Sequence, residues 1–137
     1  LLTARENAHR LQAQVNFEWH DVLSLDEAAL AATPFDIIVS NPPYVCDRER
    51  KDMTEQVLAH EPHTALFVPD NDPLLFYRAI ADYGTTHLNP HGLLAFEINP
   101  LFAKEICEML ESKGYNQVEV KTDQYGKERV VIGVVRQ

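Results

Sequence analysis

The chain has 137 residues, with 12 Lys plus Arg set against 21 Asp plus Glu, a formal net charge of −9. A 45 % hydrophobic and 24 % charged composition excludes disordered and collagen-like classes, and the length suffices to bury a core. The acidic balance lacks the basic footprint of a protein that grips nucleic acid by its phosphates, so the expected partner is a protein or a small molecule, with no direct nucleic acid and no membrane. Two cysteines, Cys46 and Cys107, form no disulfide framework and read as reduced thiols of a cytoplasmic protein. No apolar run reaches a membrane span, and the opening Leu1-Leu2-Thr3-Ala4 resembles no signal peptide. It lacks an initiator Met and stands inside a helical pattern, which reads as a fragment.

In chain order, Leu1, Ala4, Ala8 and Leu11 share one face of an amphipathic helix. Val15 to Trp19 alternates apolar with polar and predicts a short strand ending at His20-Asp21. A second helix is expected over 25–32, capped by Ser24, with Pro34 beyond its end. Phe35 to Val39 is nearly continuous in apolar residues, as suits a strand buried on both faces. It stops at Ser40-Asn41-Pro42-Pro43-Tyr44. Residues 45–72 show no sustained period and predict a long loop with some helical content, mobile until substrate closes it.

Asp72-Pro73 then signals a helix to about Gly84, and Gly92 precedes a strand from Leu93 to Ile98. Asn99-Pro100 starts a helix that carries Ala103, Ile106 and Leu110 on one face and closes at Lys113-Gly114. Val118 and Val120 alternate with charged residues, and Arg129 to Val135 is a last apolar strand across a short turn at Gly126. Strands alternating with helices predict an α/β fold, an open and mostly parallel sheet with an antiparallel C-terminal strand pair, in one domain over 1–137.

Ligands of open α/β sheets bind outside the carboxyl ends of the strands, where Asn41-Pro42-Pro43-Tyr44 falls. Each proline fixes its own φ at about −65° and pushes its predecessor out of the helical region. Asn41 is thereby held extended, its side-chain oxygen and the Pro42 carbonyl facing one small space. Two fixed acceptors suit a substrate –NH2 group, and Tyr44 adds a flat face and a hydroxyl. Such a site suits methylation of a planar nitrogen. The acceptors orient a poorly nucleophilic amide and stabilise the positive charge that develops as it attacks a sulfonium methyl.

Ser-Asn-Pro-Pro-Tyr after Phe-Asp-Ile-Ile-Val resembles the signature of amino-methyltransferases that use S-adenosylmethionine. The surroundings resemble the HemK/PrmC family, which methylates the glutamine of the Gly-Gly-Gln loop of peptide-chain release factors. Glu61-Pro62, Ala65-Leu66, Phe76-Tyr77-Arg78, Glu97 and Asp123…Gly126…Arg129-Val130-Val131 each resemble segments of that family, and Ala4-Arg5-Glu6-Asn7-Ala8 resembles the helix after its ribose-binding acid. The resemblance implies a Rossmann-like class I methyltransferase sheet truncated at its N-terminus, the C-terminal portion of a catalytic domain. S-adenosylmethionine is the implied cofactor, with S-adenosylhomocysteine as product, and a release factor the implied partner. It further implies that Asn41 and Pro42 accept the amide hydrogens, that Pro43 and Tyr44 pack on the substrate, and that Asn41 lies beside the methionine portion of the cofactor. Asp21 matches the position that meets the adenine amine, and Val22 lines the adenine pocket. The family's closely spaced glycines have no match among Gly84, Gly92, Gly114, Gly126 and Gly133, and Asn99 replaces a family glycine. The chain alone is therefore expected not to methylate.

Blander readings stand beside these. Asn-Pro-Pro-Tyr also reads as a turn, Asp21 as a strand end or cap, Val22 as core, and Glu97 as a silent hydrogen-bonding carboxylate. His60 and His63 lack a third ligand, Asp70-Asn71-Asp72 lacks the rest of a calcium loop, and no neighbour is placed to activate Cys46, so no metal and no thiol chemistry are expected. Two other functions fit the tetrapeptide or the missing glycine loop: methylation of an exocyclic amine in DNA or rRNA, and a non-catalytic partner-binding fragment.

Overall fold

The structure, a computed structural model, describes residues 1–43, 45–46, 67–69 and 71–135. It forms two compact units, residues 1–32 and 33–137.

The first unit holds α1 (Leu2–Arg10) and α2 (Glu27–Leu30). The face expected on α1 exists, but none of its residues is buried. Val15 to Trp19, expected as a strand, is irregular. An alternating pattern becomes a strand only against a second strand, and residues 1–32 contain none. The second helix is shorter than expected because its cap is Asp26 rather than Ser24. The Asp26 carboxylate accepts from the Ala29 N–H at 2.9 Å, so the helix begins two residues later.

The second unit is built on a four-stranded sheet. Its strands are β1 (Phe35–Ser40), β4 (Leu88–Glu97), β5 (Tyr115–Thr122) and β6 (Glu128–Val135), in the order β1-β4-β6-β5. β1 and β4 are parallel, while β4–β6 and β5–β6 are antiparallel, as the expected C-terminal pair requires. Two short strands, β2 (Val45–Cys46) and β3 (Phe67–Val68), pair in parallel inside the segment read as a loop. Residues 47–66 and 70 of that loop, His60 and His63 among them, lie outside the described residues, as does the mobility expected of it.

The helices α3 (Leu75–His87) and α4 (Ala103–Ser112) cover one face of the sheet. Tyr77 and Ala81 of α3 and Ile106 and Leu110 of α4 are buried against Leu94 and Phe96 of β4 and Val131 of β6. α3 starts later than expected because Asp72 does not cap it. The Asp72 carboxylate instead pairs with Arg78 at 2.6 Å. It also runs past Gly84 to His87, since Gly84 is buried against Tyr115, where side-chain bulk rather than helix propensity decides the residue. Asn99 accepts from the Leu101 N–H at 3.1 Å and opens the turn Pro100–Phe102 that leads into α4. Gly114, at φ +94, ends α4 as expected, a conformation that side chains rarely tolerate.

β1 departs most from expectation. Among the described residues it pairs on one side only, and Phe35, Ile37 and Val39 are 43 %, 59 % and 74 % exposed. Only Ile38 packs on the core. A sequence suited to burial on both faces here lies at a sheet edge, because a run of apolar residues encodes compatibility with burial but supplies no neighbour.

The family-like Asp123…Gly126…Arg129 segment closes the β5–β6 hairpin. Asp123 accepts from the N–H groups of Tyr125 and Lys127 at 2.8 and 3.0 Å and from Arg129 at 3.1 Å. These donors, the Lys127 N–H first, hold its carboxyl below the usual carboxylate range. A carboxyl lowered on folding stabilises the fold above its unfolded pKa, and that contribution disappears as pH falls through the folded pKa. Asp123→Asn is therefore expected to flatten the acid limb of the stability–pH profile, measured by urea unfolding from pH 7 downward. An unchanged acid limb contradicts this.

Candidate active site

The site begins where β1 ends. Ser40 is the last residue of β1 in the ladder, opposite Phe96, and the two prolines that follow Asn41 lack the N–H needed to continue it. Asn41 is exposed, Pro42 is buried and Pro43 is half-buried. A buried Pro42 anchors the segment while its neighbour Asn41 stays open to a ligand. Tyr44 lies outside the described residues, as do the side chains of Val45 and Cys46.

One step beyond the Ser40–Phe96 pair stand Asn41, just past β1, and Glu97, the final residue of β4. Parallel strands present their carboxyl ends along one edge, so these residues share the edge at which open α/β sheets bind ligands. Beneath that edge lies Tyr77, fully buried. Its hydroxyl donates to the Glu97 carbonyl at 3.1 Å and accepts from the Asn99 N–H at 3.2 Å. Sequence reasoning matched Phe76-Tyr77-Arg78 to a family segment without giving it a role. The apolar helix pattern hid a tyrosine whose polar end is used.

Asp21 and Val22 belong to the first unit. Asp21 is exposed, and its carboxylate accepts from the Leu23 N–H at 3.0 Å while its carbonyl accepts from Ser24. It thus makes a local turn rather than the strand end or helix cap of the blander reading, in a geometry that leaves the carboxylate at the surface. Val22 is half-buried. A surface carboxylate next to an apolar side chain is the donor set an adenine needs, an acceptor for its amine and a wall for its ring. That much of S-adenosylmethionine fits these residues.

His20, given no role in the sequence reading, sits between Glu18 at 3.0 Å and Asp26 at 3.2 Å. The Glu18 hydrogen bond, aided by Asp26, raises its pKa above the usual imidazole value. The signal that was available is the pair of acids flanking it in sequence, too common a pattern to single out. Among the described residues no group of three or more His, Cys, Asp or Glu side chains is arranged to hold a metal, and no helix is long and apolar enough to cross a membrane.

A sheet with a parallel β1–β4 pair, an antiparallel C-terminal hairpin and a loop at the strand ends is a truncated Rossmann-like arrangement. The solved structures agree on the fold. A methyltransferase from Pyrococcus furiosus superposes with a TM-score of 0.59 at 20 % identity, over 98 % of this chain and 56 % of that one. An O-methyltransferase family protein from Burkholderia thailandensis gives 0.56 at 14 % identity, over 98 % of this chain and 40 % of that one. No family model matches the chain.

Sequence relatives are more particular. The chain is 47 % identical over 131 residues to the release factor glutamine methyltransferase of Bacteroides thetaiotaomicron, covering 96 % of this chain and 46 % of that protein. It is 43 % identical over 131 residues to the protein of the same name from Flavobacterium psychrophilum, covering 96 % and 45 %. A bifunctional methyltransferase of Rickettsia felis matches at 38 % over 103 residues, 75 % of this chain and 19 % of that protein. The family resemblance in the motifs is thus a resemblance along the whole chain, and the chain spans less than half the length of the relatives it matches.

Proposed function

We propose that this chain is the substrate-accepting part of a cytoplasmic, S-adenosylmethionine-dependent enzyme that methylates the glutamine side-chain nitrogen in the Gly-Gly-Gln loop of peptide-chain release factors. The observation that carries this reading is the pairing of an exposed Asn41 with a buried Pro42 at the carboxyl end of β1, in a chain 47 % identical to a release factor glutamine methyltransferase.

The side-chain oxygen of Asn41 and the carbonyl of Pro42 accept the two N–H bonds of the glutamine amide. This fixes the plane of the amide and aims its nitrogen lone pair out of that plane. As the nitrogen gains positive charge, its hydrogens become better donors, so the same two acceptors bind the transition state more strongly than the ground state. S-adenosylmethionine supplies the methyl group, activated on a sulfonium centre. The surplus proton is acidic on the alkylated nitrogen and passes to solvent, so no general base is required of the chain. Pro43 and Tyr44 pack on the substrate, Asp21 accepts from the adenine amine, Val22 lines its pocket, and Asn41 also borders the methionine portion. With no closely spaced glycines, the chain does not methylate alone. It needs a glycine-rich loop from a second segment.

The test fuses this chain to the part of the Bacteroides thetaiotaomicron relative that it does not match, and offers a labelled methyl donor. Label is expected on release factor and not on release factor whose loop glutamine is changed. Label on DNA or rRNA instead overturns the substrate, and no label on any of them overturns the enzyme reading in favour of a partner-binding module. Net charge −9 weighs against nucleic acid.

A further inference from the structure

We infer that Tyr77 is a positioning residue for the Asn41 acceptor site, acting through the end of β4. The inference rests on the function proposed for Asn41 but is tested without it.

Two tyrosine hydroxyls tie α3 or its neighbours to the rest of this unit, at opposite ends of the sheet. Tyr115 opens β5, opposite Val135 at the far end of β6, and donates to the Ala81 carbonyl at 2.7 Å. Tyr77 works at the other end, where Glu97 pairs with Val130 near the start of β6. Its ring meets Phe96 edge-on, with centroids 5.1 Å apart at 82°. Phe96 in turn is the ladder partner of Ser40, the residue before Asn41. The Tyr77 hydroxyl spans the Glu97 carbonyl and the Asn99 N–H, the point where β4 gives way to the turn into α4.

One buried side chain therefore fixes three consecutive features of the β4 terminus: the Phe96 ring, the Glu97 carbonyl and the entry to the 100–102 turn. β1 has β4 as its sole sheet neighbour among the described residues, so the height and tilt of its last residues are set by β4. Asn41 follows directly on the last ladder pair, Ser40–Phe96. Its orientation is inherited from Ser40, and so from what holds Phe96 and Glu97. A phenol is suited to this: two hydrogen bonds from one rigid ring define a position that a flexible donor does not.

The experiment compares Tyr77→Phe with Tyr115→Phe in the full chain, each removing one buried hydroxyl from the same core. The readout is the pair of side-chain amide signals of Asn41 in a 15N-correlated NMR spectrum, assigned by their loss in Asn41→Ala. Tyr77→Phe is expected to shift or broaden them, and Tyr115→Phe to leave them in place. Equal effects from both variants, or none from Tyr77→Phe, overturn the inference. Global unfolding by Tyr77→Phe, with Tyr115→Phe folded, also overturns it and makes Tyr77 a residue of plain stability. Failure of Asn41→Ala to reduce methylation strikes the functional reading and leaves this result standing.

Discussion

Asn41→Ala in the fused enzyme is expected to lower methyl transfer to release factor by roughly 100- to 1000-fold, the cost of removing one preorganised partner of a developing charge. The argument is differential. An amide nitrogen in its ground state donates weakly from both hydrogens, and Asn41 gains little there. Once the methyl group begins to transfer, positive charge spreads onto those hydrogens, and the fixed oxygen of Asn41 is worth several times more. The loss therefore falls on kcat more than on KM. Because Asn41 is exposed and stands beyond the last ladder pair, its truncation is expected to change stability by no more than about 0.5 kcal/mol. Single-turnover assays of folded variant check both parts. A loss confined to KM contradicts the charge argument, and a loss that follows unfolding contradicts the role.

Gly84→Ala carries the second large effect, on stability. α3 passes the start of β5 so closely that a Cβ at Gly84 collides with the Tyr115 hydroxyl oxygen, with Leu88 only 3.4 Å away. In an exposed helix this substitution gains about 1 kcal/mol from helix propensity. Here it overpacks the core, typically about 1–3 kcal/mol, and displaces the hydroxyl from the Ala81 carbonyl inside the core, about 1–3 kcal/mol more. A net loss of about 2–3 kcal/mol is expected by urea unfolding. Burial, helped by the Asp82 charge, pushes the Tyr115 pKa up to about 12, so the group is a neutral donor throughout the working range. Tyr115→Phe removes the clashing atom. Alone it is expected to destabilise, but in the Gly84→Ala background it is expected to stabilise, a reversal of sign that a double-mutant cycle detects. Additive losses contradict the packing account.

Much of the second unit was legible in the sequence. Ala103, Ile106 and Leu110 were placed on one helical face and are buried, Gly114 was given the helix end and has positive φ, and the Val118–Val135 region was paired antiparallel and is. These follow from local rules, in which side-chain period and backbone permissiveness act over a few residues. The failures share one cause. Val15 to Trp19 has a strand pattern without a strand, and Phe35 to Val39 has a buried pattern at an exposed edge. Both patterns describe what a segment tolerates, and the neighbour that realises the tolerance lies elsewhere in sequence. The caps failed for a different reason. Asp72 was matched to a cap by spacing, but a basic residue six positions on competes for the same carboxylate, and Arg78 takes it with two hydrogen bonds, at 3.1 and 2.6 Å.

The candidate site divides in the same way. The place of Asn41 and Pro42 at the end of β1 was legible because prolines after a strand leave few backbone options. Tyr77 was visible only as part of a motif, since its function depends on a turn twenty residues away. His20 was passed over, since acids at two and six residues' distance carry no periodic signal.

Calorimetric titration of S-adenosylmethionine into this chain, and into the same chain fused to the unmatched part of the Bacteroides thetaiotaomicron relative, tests most directly whether the Asn41 site is one half of a methyltransferase. The account predicts saturable binding to the fusion and none to the chain alone, because the proposed function assigns the rest of the cofactor to a glycine loop outside this chain. Equal binding by both contradicts it, and would mean that these residues hold the cofactor without a glycine loop.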